Sequence, residues 1–578
     1  MIRSSMLSRV FVPSFVLGLA LLQGCANLGP TGRDAQLLPS SSVIGCSQDN
    51  RAVQAYFGVI DNITTKRPDL AGILKKFPKG ADLHNHLSGS VMPEEYLALG
   101  SAHGNCFGPD APVPAMYTIQ PATAPGVCAG GFKPLTQASA GERQRLLQSL
   151  SLYRFNETGF SSIQAGHDQF FATFGRFGAV SGYPPNMAPM LAKLLQQAHD
   201  DNVSYVETMT SFQSAAISRL ADLLRQRYPD PAAFTQSGNY PAMFAYLLGA
   251  GLQDAVQAAQ ADAVSYVNGV RSFLGCGSAA PDPACEVAFN FQAAVNRNAA
   301  LPDGNPDLPK IFTQVALYSM LADREPRVVG VNLLSAEDSP VSMQSFSPQM
   351  QFFSYFHTRF PRVNIALHAG ELTPCFVGSS NPALLDHISA SIQAGAKRIG
   401  HAVSFAYLNA SDQAALAALM KRNNTLVEVP MASNAQILGV SGADHPFEQY
   451  FRKYGVAVAF STDDEGVSHT DFTSEWLYAV GQYHLSYPEV VRLARASLEY
   501  SFLPGQSLWQ AAPATRVVSQ CRGETLGSAR PGEPCSSFIT LNAKAGAQWR
   551  YEGKLADFDR VYGTTLRKQL GSLEAARR

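Results

Sequence analysis

The sequence predicts an α/β protein: a (β/α)8 barrel of the TIM type with a helical N-terminal segment and disulfide-stapled insertions. Short runs rich in Val, Ile and Leu alternate with helix-like segments, which is typical of parallel strands buried on both faces. These runs number eight, which favours a closed barrel. The alternative is an open doubly wound sheet, but no Gly-x-Gly-x-x-Gly or Gly-x-x-x-x-Gly-Lys motif opens a helix.

The predicted strands begin after a helical stretch at residues 51–76 and continue to residue 464. Most are separated by segments with helical composition, such as DQAALAALMKR at 412–422. The predicted strands are residues 81–87, 203–211, 311–319, 327–334, 363–370, 396–403, 424–430 and 455–464.

The N-terminus is predicted to be an export signal and not part of the fold. In residues 1–24 two arginines precede an apolar run that is too short to span a membrane. The motif Leu-Gln-Gly-Cys resembles a bacterial lipobox, in which Cys25 is acylated and becomes the mature N-terminus; an ordinary cleaved signal is the alternative. Ala26 follows the cysteine, so the resemblance implies an exported protein anchored at the outer membrane, on its periplasmic face or at the cell surface. Residues 25–50 are predicted to be a lipidated tether.

The rest of the chain, residues 51–578, is predicted to be one barrel domain with insertions near 100–140 and 212–309. The formal net charge of −1 gives no indication of a nucleic-acid partner. The sequence leaves a homodimer open. Close spacings suggest local disulfides, although sequence alone does not fix their connectivity. The candidate pairs are Cys106/Cys128, Cys276/Cys285 and Cys521/Cys535, which leaves Cys46 and Cys375.

Polar residues stand out at the carboxyl ends of four predicted strands. A capping histidine, a helix-starting glutamate or an Asp-Asp turn would each have a purely structural explanation. Catalytic groups of a β/α barrel collect on this face, because the loops that leave the strands surround its mouth. Together these residues therefore predict a functional site. They are His84 and His86 (first strand), His368 and Glu371 (fifth), His401 (sixth), and Asp463 and Asp464 (eighth).

The composition of this set points to a metal-dependent hydrolytic site. Three imidazoles and one carboxylate suit zinc, with one coordination position left for water. Bound zinc lowers the pKa of that water to about 7 and so supplies hydroxide at neutral pH. Glu371 and His401 are available to donate a proton and to orient the hydroxide.

Seven short segments, in this order, resemble the adenosine deaminase family of amidohydrolases. The resemblance covers roughly residues 50 to 520. Within the family, the segments are most similar to the exported branch, the adenosine-deaminase-related growth factors. The segments are PKGADLHNHL, LLSAED, LHAGE, RIGHA, EVPMASN, STDDEG and SLEYSFLPG.

The resemblance implies a role for each residue of the set. One zinc ion per chain would be bound by His84, His86, His368 and Asp463. Glu371 would protonate N1 of a 6-aminopurine while hydroxide attacks C6. His401 would hold that hydroxide and assist proton transfer, and Asp464 would hydrogen-bond N7.

Substrate-binding residues follow from the same resemblance, with two departures from the family pattern. Phe170 and Phe174 correspond to the family's F-x-x-x-F pocket segment, although a helix's core stripe would explain that spacing equally well. Ser88 stands where the classical branch has an Asp near the ribose. Ser335 replaces a Gly whose backbone N–H meets purine N3. Three histidines outside the motifs are predicted to be structural: His167, His357 and His445.

The expected function is zinc-dependent deamination of adenosine or 2′-deoxyadenosine to inosine or deoxyinosine outside the cytoplasm, for purine salvage. One alternative is deamination of another 6-aminopurine or N6-substituted purine nucleoside. Another is a non-catalytic lipoprotein that binds nucleosides or a partner protein. The zinc deaminase class with H-x-E and P-C-x-x-C motifs is excluded, because neither motif occurs.

Overall fold

The computed structural model describes residues 50–155, 163–511 and 516–577. The predicted signal, Cys25, Cys46 and nearly all of the predicted tether lie outside the described residues. In the part of the chain that is described, no helix is both long and apolar enough to cross a bilayer.

Eight parallel strands form the centre of the molecule, in the order β1-β5-β6-β7-β8-β9-β10-β11. The strands in chain order are β1 (Gly80–His86), β2 (Cys106–Pro109), β3 (Tyr117–Gln120), β4 (Lys133–Pro134), β5 (Val203–Thr210), β6 (Ala288–Asn296), β7 (Val328–Leu334), β8 (Asn364–Ala369), β9 (Arg398–His401), β10 (Leu426–Val429) and β11 (Ala457–Phe460).

The first and last strands of this sheet meet just beyond the end of β11. The N–H of His86 donates to the carbonyl of Asp463 at 3.0 Å, and the N–H of Asp463 donates to the carbonyl of His84 at 2.9 Å. A parallel bridge between Asn85 and Asp463 completes the ring. The predicted (β/α)8 barrel is therefore confirmed.

Helices follow most barrel strands and cover the outside of the sheet. In the first half of the chain they are α1 (Arg51–Lys66), α2 (Pro68–Lys76), α3 (Leu87–Ser90), α4 (Pro93–Ala102), α5 (Ala140–Leu150), α6 (Ile163–Ser181), α7 (Met187–Asp200), α8 (Ser214–Arg227), α9 (Tyr240–Gly249) and α10 (Leu252–Phe273). In the second half they are α11 (Leu308–Arg324), α12 (Pro340–Arg359), α13 (Pro374–Val377), α14 (Ala383–Gln393), α15 (Ala410–Arg422), α16 (Met431–Leu438), α17 (Glu465–Ser468), α18 (Phe472–Tyr483), α19 (Tyr487–Glu499), α20 (Cys535–Leu541), α21 (Ala543–Phe558) and α22 (Thr564–Arg577).

The third predicted strand is wrong: residues 311–319 belong to the helix α11. A helix start precedes them, because the Asp307 carboxylate accepts a hydrogen bond from the N–H of Lys310 at 3.1 Å and a proline stands in the first turn. Every residue from Leu308 to Leu321 except Lys310 is buried, so apolar residues occur on every face of the helix. A helix buried on all sides has the same continuous apolar pattern as a buried strand.

The actual third barrel strand is β6, which lies inside the segment predicted as the 212–309 insertion. Its apolar pattern is interrupted by Gln292, which is fully buried. The amide of Gln292 donates to the carbonyl of Leu83 at 2.8 Å, so the buried polar group is satisfied inside the barrel. That contact depends on tertiary structure and leaves no pattern in the local sequence.

The stretch predicted as the 100–140 insertion contains a small antiparallel sheet in the order β3-β2-β4. All three predicted local disulfides are formed: Cys106–Cys128, Cys276–Cys285 and Cys521–Cys535. Cys375 is also disulfide-bonded.

Candidate functional site

Three histidines and one aspartate converge at the carboxyl end of the barrel. The Nε2 atoms of His86 and His368 are 3.1 Å apart. Oδ1 of Asp463 lies 3.2 Å from Nε2 of His84 and 3.0 Å from Nε2 of His86. The four side chains offer ligand atoms that all lie within 4.8 Å of one another, so together they could hold one metal ion.

The local backbone explains how β1 delivers two of these ligands. Side chains alternate along a strand, so His84 and His86 share a face while Asn85 points away. The amide of Asn85 donates to Oγ1 of Thr462 and accepts from Oγ1 of Thr208, each at 3.0 Å. Gly400 of the RIGHA segment leaves room for the first histidine, since a Cβ there would meet the His84 ring at 2.5 Å.

Three residues of the site adopt left-handed backbone conformations that are unusual for residues with a side chain. The φ angles are 86° at Ser335, 65° at His401 and 58° at Asp463. Such conformations are strained and occur at functional sites, where the surrounding structure enforces them. Here they turn the chain at the ends of β7 and β9 and beyond β11, where the polar side chains face the cavity.

Polar partners behind the ligands fix the orientation of two imidazole rings. Nδ1 of His84 lies 2.8 Å from Oε2 of Glu428, which also forms an ion pair with Arg398 at 2.6 Å. Nδ1 of His368 lies 3.0 Å from Oδ1 of Asn332. Partners of this kind leave the Nε2 atoms free for a metal, as is usual for zinc-bound histidine.

The surroundings of His84 Nε2 and of the Asp463 carboxylate also suit a bound cation. Nε2 of His84 is fully buried, and Oδ1 of Asp463, itself a predicted ligand, lies 3.2 Å from it. The second oxygen of Asp463 accepts a hydrogen bond from Oγ of Ser433 at 2.6 Å, which leaves the first oxygen directed at the histidines. Three imidazole nitrogens and one carboxylate oxygen form a typical zinc donor set.

The electrostatics of the cluster favour a positive charge. Burial opposes protonation of His84, but its bonds to Asp463 and Glu428 outweigh burial and raise its pKa to about 10. Burial alone would raise the pKa of Asp463, yet hydrogen bonds from His84 and His86 hold it well below its usual value. Burial and neighbouring histidines lower the pKa of His368, which favours the neutral imidazole that a metal requires.

Glu371 lies beside the cluster without belonging to its four ligands. Its backbone N–H donates to Oε2 of Glu337 at 2.7 Å, which fixes the chain just after His368. Burial, followed by the charges of Asp463 and Glu337, raises the pKa of Glu371 well above its usual value. This shift favours the protonated carboxyl group, which can donate a proton.

His401 faces both Glu371 and the cluster. Its Nε2 lies 3.7 Å from Oε1 of Glu371 and 3.8 Å from Oδ2 of Asp463. Burial lowers the pKa of His401 to about 4, so the ring is neutral at physiological pH. Its other nitrogen is held by Asn434, whose Oδ1 lies 2.9 Å from Nδ1.

Asp464 provides a polar group for a ligand. It is buried, and its Oδ1 has no hydrogen-bond partner among the described residues. Burial and the adjacent Asp463 raise its pKa well above the usual value. Gly89 permits this arrangement, because a Cβ at that position would overlap the Asp464 carboxyl group.

A cavity of about 650 Å³ opens onto these residues. The four residues predicted to contact the rest of the substrate, Ser88, Phe170, Phe174 and Ser335, all line it. Ser88 lies on the helical turn α3, because β1 ends at His86. Oγ of Ser335 donates to Oδ1 of Asn296 at 3.0 Å. Three carboxyl groups and no lysine or arginine occur among the described residues that line the cavity.

A second cavity, of about 700 Å³, lies at the amino ends of β10 and β11. Phe451, Arg492 and Tyr500 contribute to its lining. It contains none of the predicted site residues and no metal-binding cluster of the described chain. The chemistry is therefore assigned to the carboxyl end of the barrel.

Several residues that support the site were given no role from the sequence. Some lie inside the segments that carry the family resemblance, so the sequence marked their positions. It did not show which residues they contact in the folded chain. These residues are Asn332, Glu337, Glu428, Ser433 and Asn434. Of the histidines predicted to be structural, His167 pairs with Asp338 at 3.3 Å, whereas His445 lies directly behind the site, 2.9 Å from Asn434.

Comparison with known proteins gives partial matches to one family. Residues 313–510 match the family model described as adenosine deaminase. Adenosine deaminase of Enterococcus faecalis (strain ATCC 700802 / V583) is 32% identical over 142 residues, which cover 24% of this chain and 37% of that protein. Adenosine deaminase of Lactococcus lactis subsp. lactis (strain IL1403) is 32% identical over 131 residues, which cover 22% of this chain and 33% of that protein. The chain thus spans about a third of the length of these curated relatives.

Two solved structures resemble the chain at low sequence identity. The N6-mAMP deaminase of arabidopsis is 18% identical with a TM-score of 0.44, over 74% of this chain and 94% of that one. The adenine deaminase of Arthrobacter aurescens is 18% identical with a TM-score of 0.43, over 74% of this chain and 94% of that one.

Proposed function

We propose that this protein is a zinc-dependent aminohydrolase that converts adenosine or 2′-deoxyadenosine to inosine or deoxyinosine. The observation that carries the proposal is the joint placement, at one cavity, of four residues that could hold a metal ion and a buried Glu371 whose pKa is raised. The match of residues 313–510 to the adenosine deaminase family supports it.

Each side chain of the site has a task in this reaction. A zinc ion held by His84, His86, His368 and Asp463 would lower the pKa of a water molecule to about 7 and so provide a nucleophile at neutral pH. Glu371 holds the proton that N1 of the purine takes up as C6 is attacked. His401 orients the attacking oxygen, and Asp464 hydrogen-bonds N7. Ammonia leaves, and a 6-oxopurine remains.

The lack of lysine and arginine among the described residues that line the cavity favours a substrate without a phosphate group. Glu371, Asp463 and Asp464 line it, and no lysine or arginine of the described chain faces them there. A phosphate group would therefore meet carboxyl groups without the guanidinium or ammonium partners that phosphate binding generally uses. A nucleoside or free base fits this environment better than a nucleotide.

Another 6-aminopurine or an N6-substituted purine nucleoside is the second candidate substrate. Ser335 favours this candidate, because it brings a side chain and a φ of 86° to the position where the family pattern has glycine. Ser88 favours it as well, because a neutral hydroxyl replaces the carboxylate that the family pattern places near the ribose. Both residues line the cavity and can change which purines fit.

The decisive experiment assays the purified zinc-loaded protein against adenosine, 2′-deoxyadenosine, adenine, N6-methyladenosine and AMP, with release of ammonia as the readout. We expect the highest kcat/KM for adenosine or 2′-deoxyadenosine, and about one zinc per chain by elemental analysis. Highest activity on adenine or N6-methyladenosine would select the second candidate. No turnover of any compound, with zinc bound, would contradict the aminohydrolase proposal and favour a binding protein.

We further propose that the protein acts outside the cytoplasm, anchored by a lipid on Cys25. The motif Leu-Gln-Gly-Cys supports the anchor, and the three disulfides support an oxidising compartment. Cys25→Ser should abolish labelling by a fatty-acid probe and release the protein from membranes. Cys46→Ser is the matched control and should retain labelling. Undiminished labelling of Cys25→Ser would contradict the anchor.

A further inference from the structure

A buried chain of hydrogen bonds runs from His401 away from the cavity to His445. Nδ1 of His401 lies 2.9 Å from Oδ1 of Asn434, and Nδ2 of Asn434 lies 2.9 Å from Nε2 of His445. The backbone N–H of Phe447 donates to Nδ1 of His445 at 3.1 Å. All three side chains are at most 2% exposed, so water does not compete for these bonds.

The backbone donor at the end of this chain determines where the protons lie. An N–H can only donate, so Nδ1 of His445 must present a lone pair to Phe447. A neutral imidazole has one donor nitrogen and one acceptor nitrogen, so Nε2 of His445 carries the proton and donates to Asn434. The amide atom that receives this bond must therefore be the oxygen of Asn434.

The oxygen and nitrogen of an asparagine amide are distinguished by their hydrogen-bond partners. If the nitrogen of Asn434 faced His445, that ring would have to accept at both nitrogens, which a neutral imidazole cannot do. A half-turn of the amide about its Cβ–Cγ bond exchanges its two ends and satisfies every partner. The amide N–H of Asn434 then donates to Nδ1 of His401.

We infer that His445, acting through Asn434, fixes His401 as the tautomer with its proton on Nε2, the nitrogen that faces the cavity. His401 therefore begins the reaction as a hydrogen-bond donor to the attacking oxygen and not as the base that accepts its proton. His445 and Asn434 are positioning residues, because they act through His401. The catalytic role of this tautomer rests on the proposed function, whereas the tautomer itself does not.

Two substitutions of similar shape at position 445 test the inference. In His445→Gln the new amide can still accept from Phe447 N–H and donate to the Asn434 oxygen, so the tautomer of His401 is kept. In His445→Glu the carboxylate can only accept, which turns the Asn434 amide round and moves the His401 proton to Nδ1. His357→Gln, at a histidine outside the cavity, is the control for loss of an imidazole.

We expect kcat of His445→Gln to stay within about tenfold of the unmodified protein, and that of His445→Glu to fall at least about a hundredfold. A wrong tautomer of a catalytic imidazole can cost up to about 10⁴ in kcat. KM and zinc content should change little in either variant, because residue 445 and Asn434 do not contact the substrate or the metal. Equal kcat values for the glutamine and glutamate variants would overturn the inference.

The tautomer can be observed directly, without turnover. Nitrogen NMR of histidine-labelled protein, with the His401 signals identified by their loss in His401→Gln, should show the proton on Nε2 in the unmodified protein and in His445→Gln. A proton on Nδ1 of His401 in the unmodified protein would overturn the inference, whether or not the variants fold. If the protein turns over no purine, the proposed function fails, and the NMR measurement still decides the tautomer.

Discussion

Glu371 is the residue whose environment says most about the chemistry. Burial and two neighbouring carboxylates raise its pKa, and it stands next to the four-residue cluster without being one of the four members. Glu371→Gln keeps the shape of the side chain but cannot deliver a proton. We expect kcat to fall by about 10² to 10⁴, the usual contribution of general acid catalysis, with zinc content and melting temperature unchanged. Glu524→Gln is the matched control. Near-normal turnover of Glu371→Gln would contradict the assignment of Glu371 as the acid.

The same carboxyl group predicts the pH dependence of the reaction. Only its protonated form can act as the acid, and its pKa is raised in the folded protein. Activity should therefore persist above the ordinary pKa of glutamate and fall as the pH rises through the raised value. Initial rates of kcat/KM between about pH 5 and pH 10 measure this limb. An activity that rises steadily over the whole range would contradict the assignment.

Ser88 lines the cavity beside His86 and offers a neutral hydroxyl. A hydrogen bond to a charged group is worth about 1.5–3 kcal/mol, against about 1 kcal/mol for a neutral pair. We therefore expect the unmodified protein to process 5′-deoxyadenosine nearly as well as adenosine, and Ser88→Asp to increase the preference for adenosine about tenfold. The ratio of the two kcat/KM values is the measurement. If the unmodified protein already rejects the 5′-deoxy compound about a hundredfold, another residue recognises the sugar.

At the scale of elements, α16 connects the site to the outer helices. It carries Ser433, which bonds Asp463, and Asn434, which bonds His401. Its first two N–H groups, at Met431 and Ala432, donate to the Glu475 carboxylate on α18 at 2.6 and 3.0 Å. That carboxylate also accepts a bond from a tyrosine of α1, so three helices meet at one buried acid. The position of α16 therefore depends on a residue far from the cavity.

Glu475→Ala tests this dependence. Two buried N–H groups lose their acceptor, and each unsatisfied group costs about 1–3 kcal/mol, so we expect the free energy of unfolding to fall by about 2–6 kcal/mol. Movement of α16 should also lower kcat more than it changes KM. Denaturant titration and kinetics measure the two effects. Glu475→Gln, which keeps one acceptor oxygen, should lie between the two proteins; an unchanged unfolding curve for Glu475→Ala would contradict the argument.

Elements that carry short motifs were predictable from the sequence, and one element without a motif was not. β1 and β9 end at histidines and β8 has one at its second-last residue, and all three strands occur close to the predicted residues. β6 contains no such motif, and its buried Gln292 interrupts the apolar pattern by which a buried strand is predicted. The apolar run of α11 imitates a strand instead. Continuous hydrophobicity reports burial and does not distinguish helix from strand.

At the scale of the whole molecule, the residues that close the barrel are also residues of the candidate site, or lie next to them. The last bridge of the ring joins Asn85 to Asp463. Asn85 lies between His84 and His86, so the bridge brings three of the four predicted metal ligands together. Below it, Glu428, Arg398 and Glu207 form a fully buried chain of ion pairs that ends at His84. The rim residues could be predicted because short motifs mark them. This chain could not, because its members are far apart in sequence and meet only when the barrel closes.

Because the predicted metal ligands lie where the barrel closes, we expect removal of the metal to destabilise the fold. The ligands come from β1, β8 and the residue that closes the ring after β11, so one ion would link three parts of the barrel. A ligand at 100 to 1,000 times its Kd stabilises a folded protein by about 2.7–4.1 kcal/mol. We therefore expect a strong chelator to lower the melting temperature by about 2–4 °C, and added zinc to restore it. His368→Ala should bind little zinc and show no chelator effect. Identical melting curves before and after verified removal of the metal would show that the barrel closes without it.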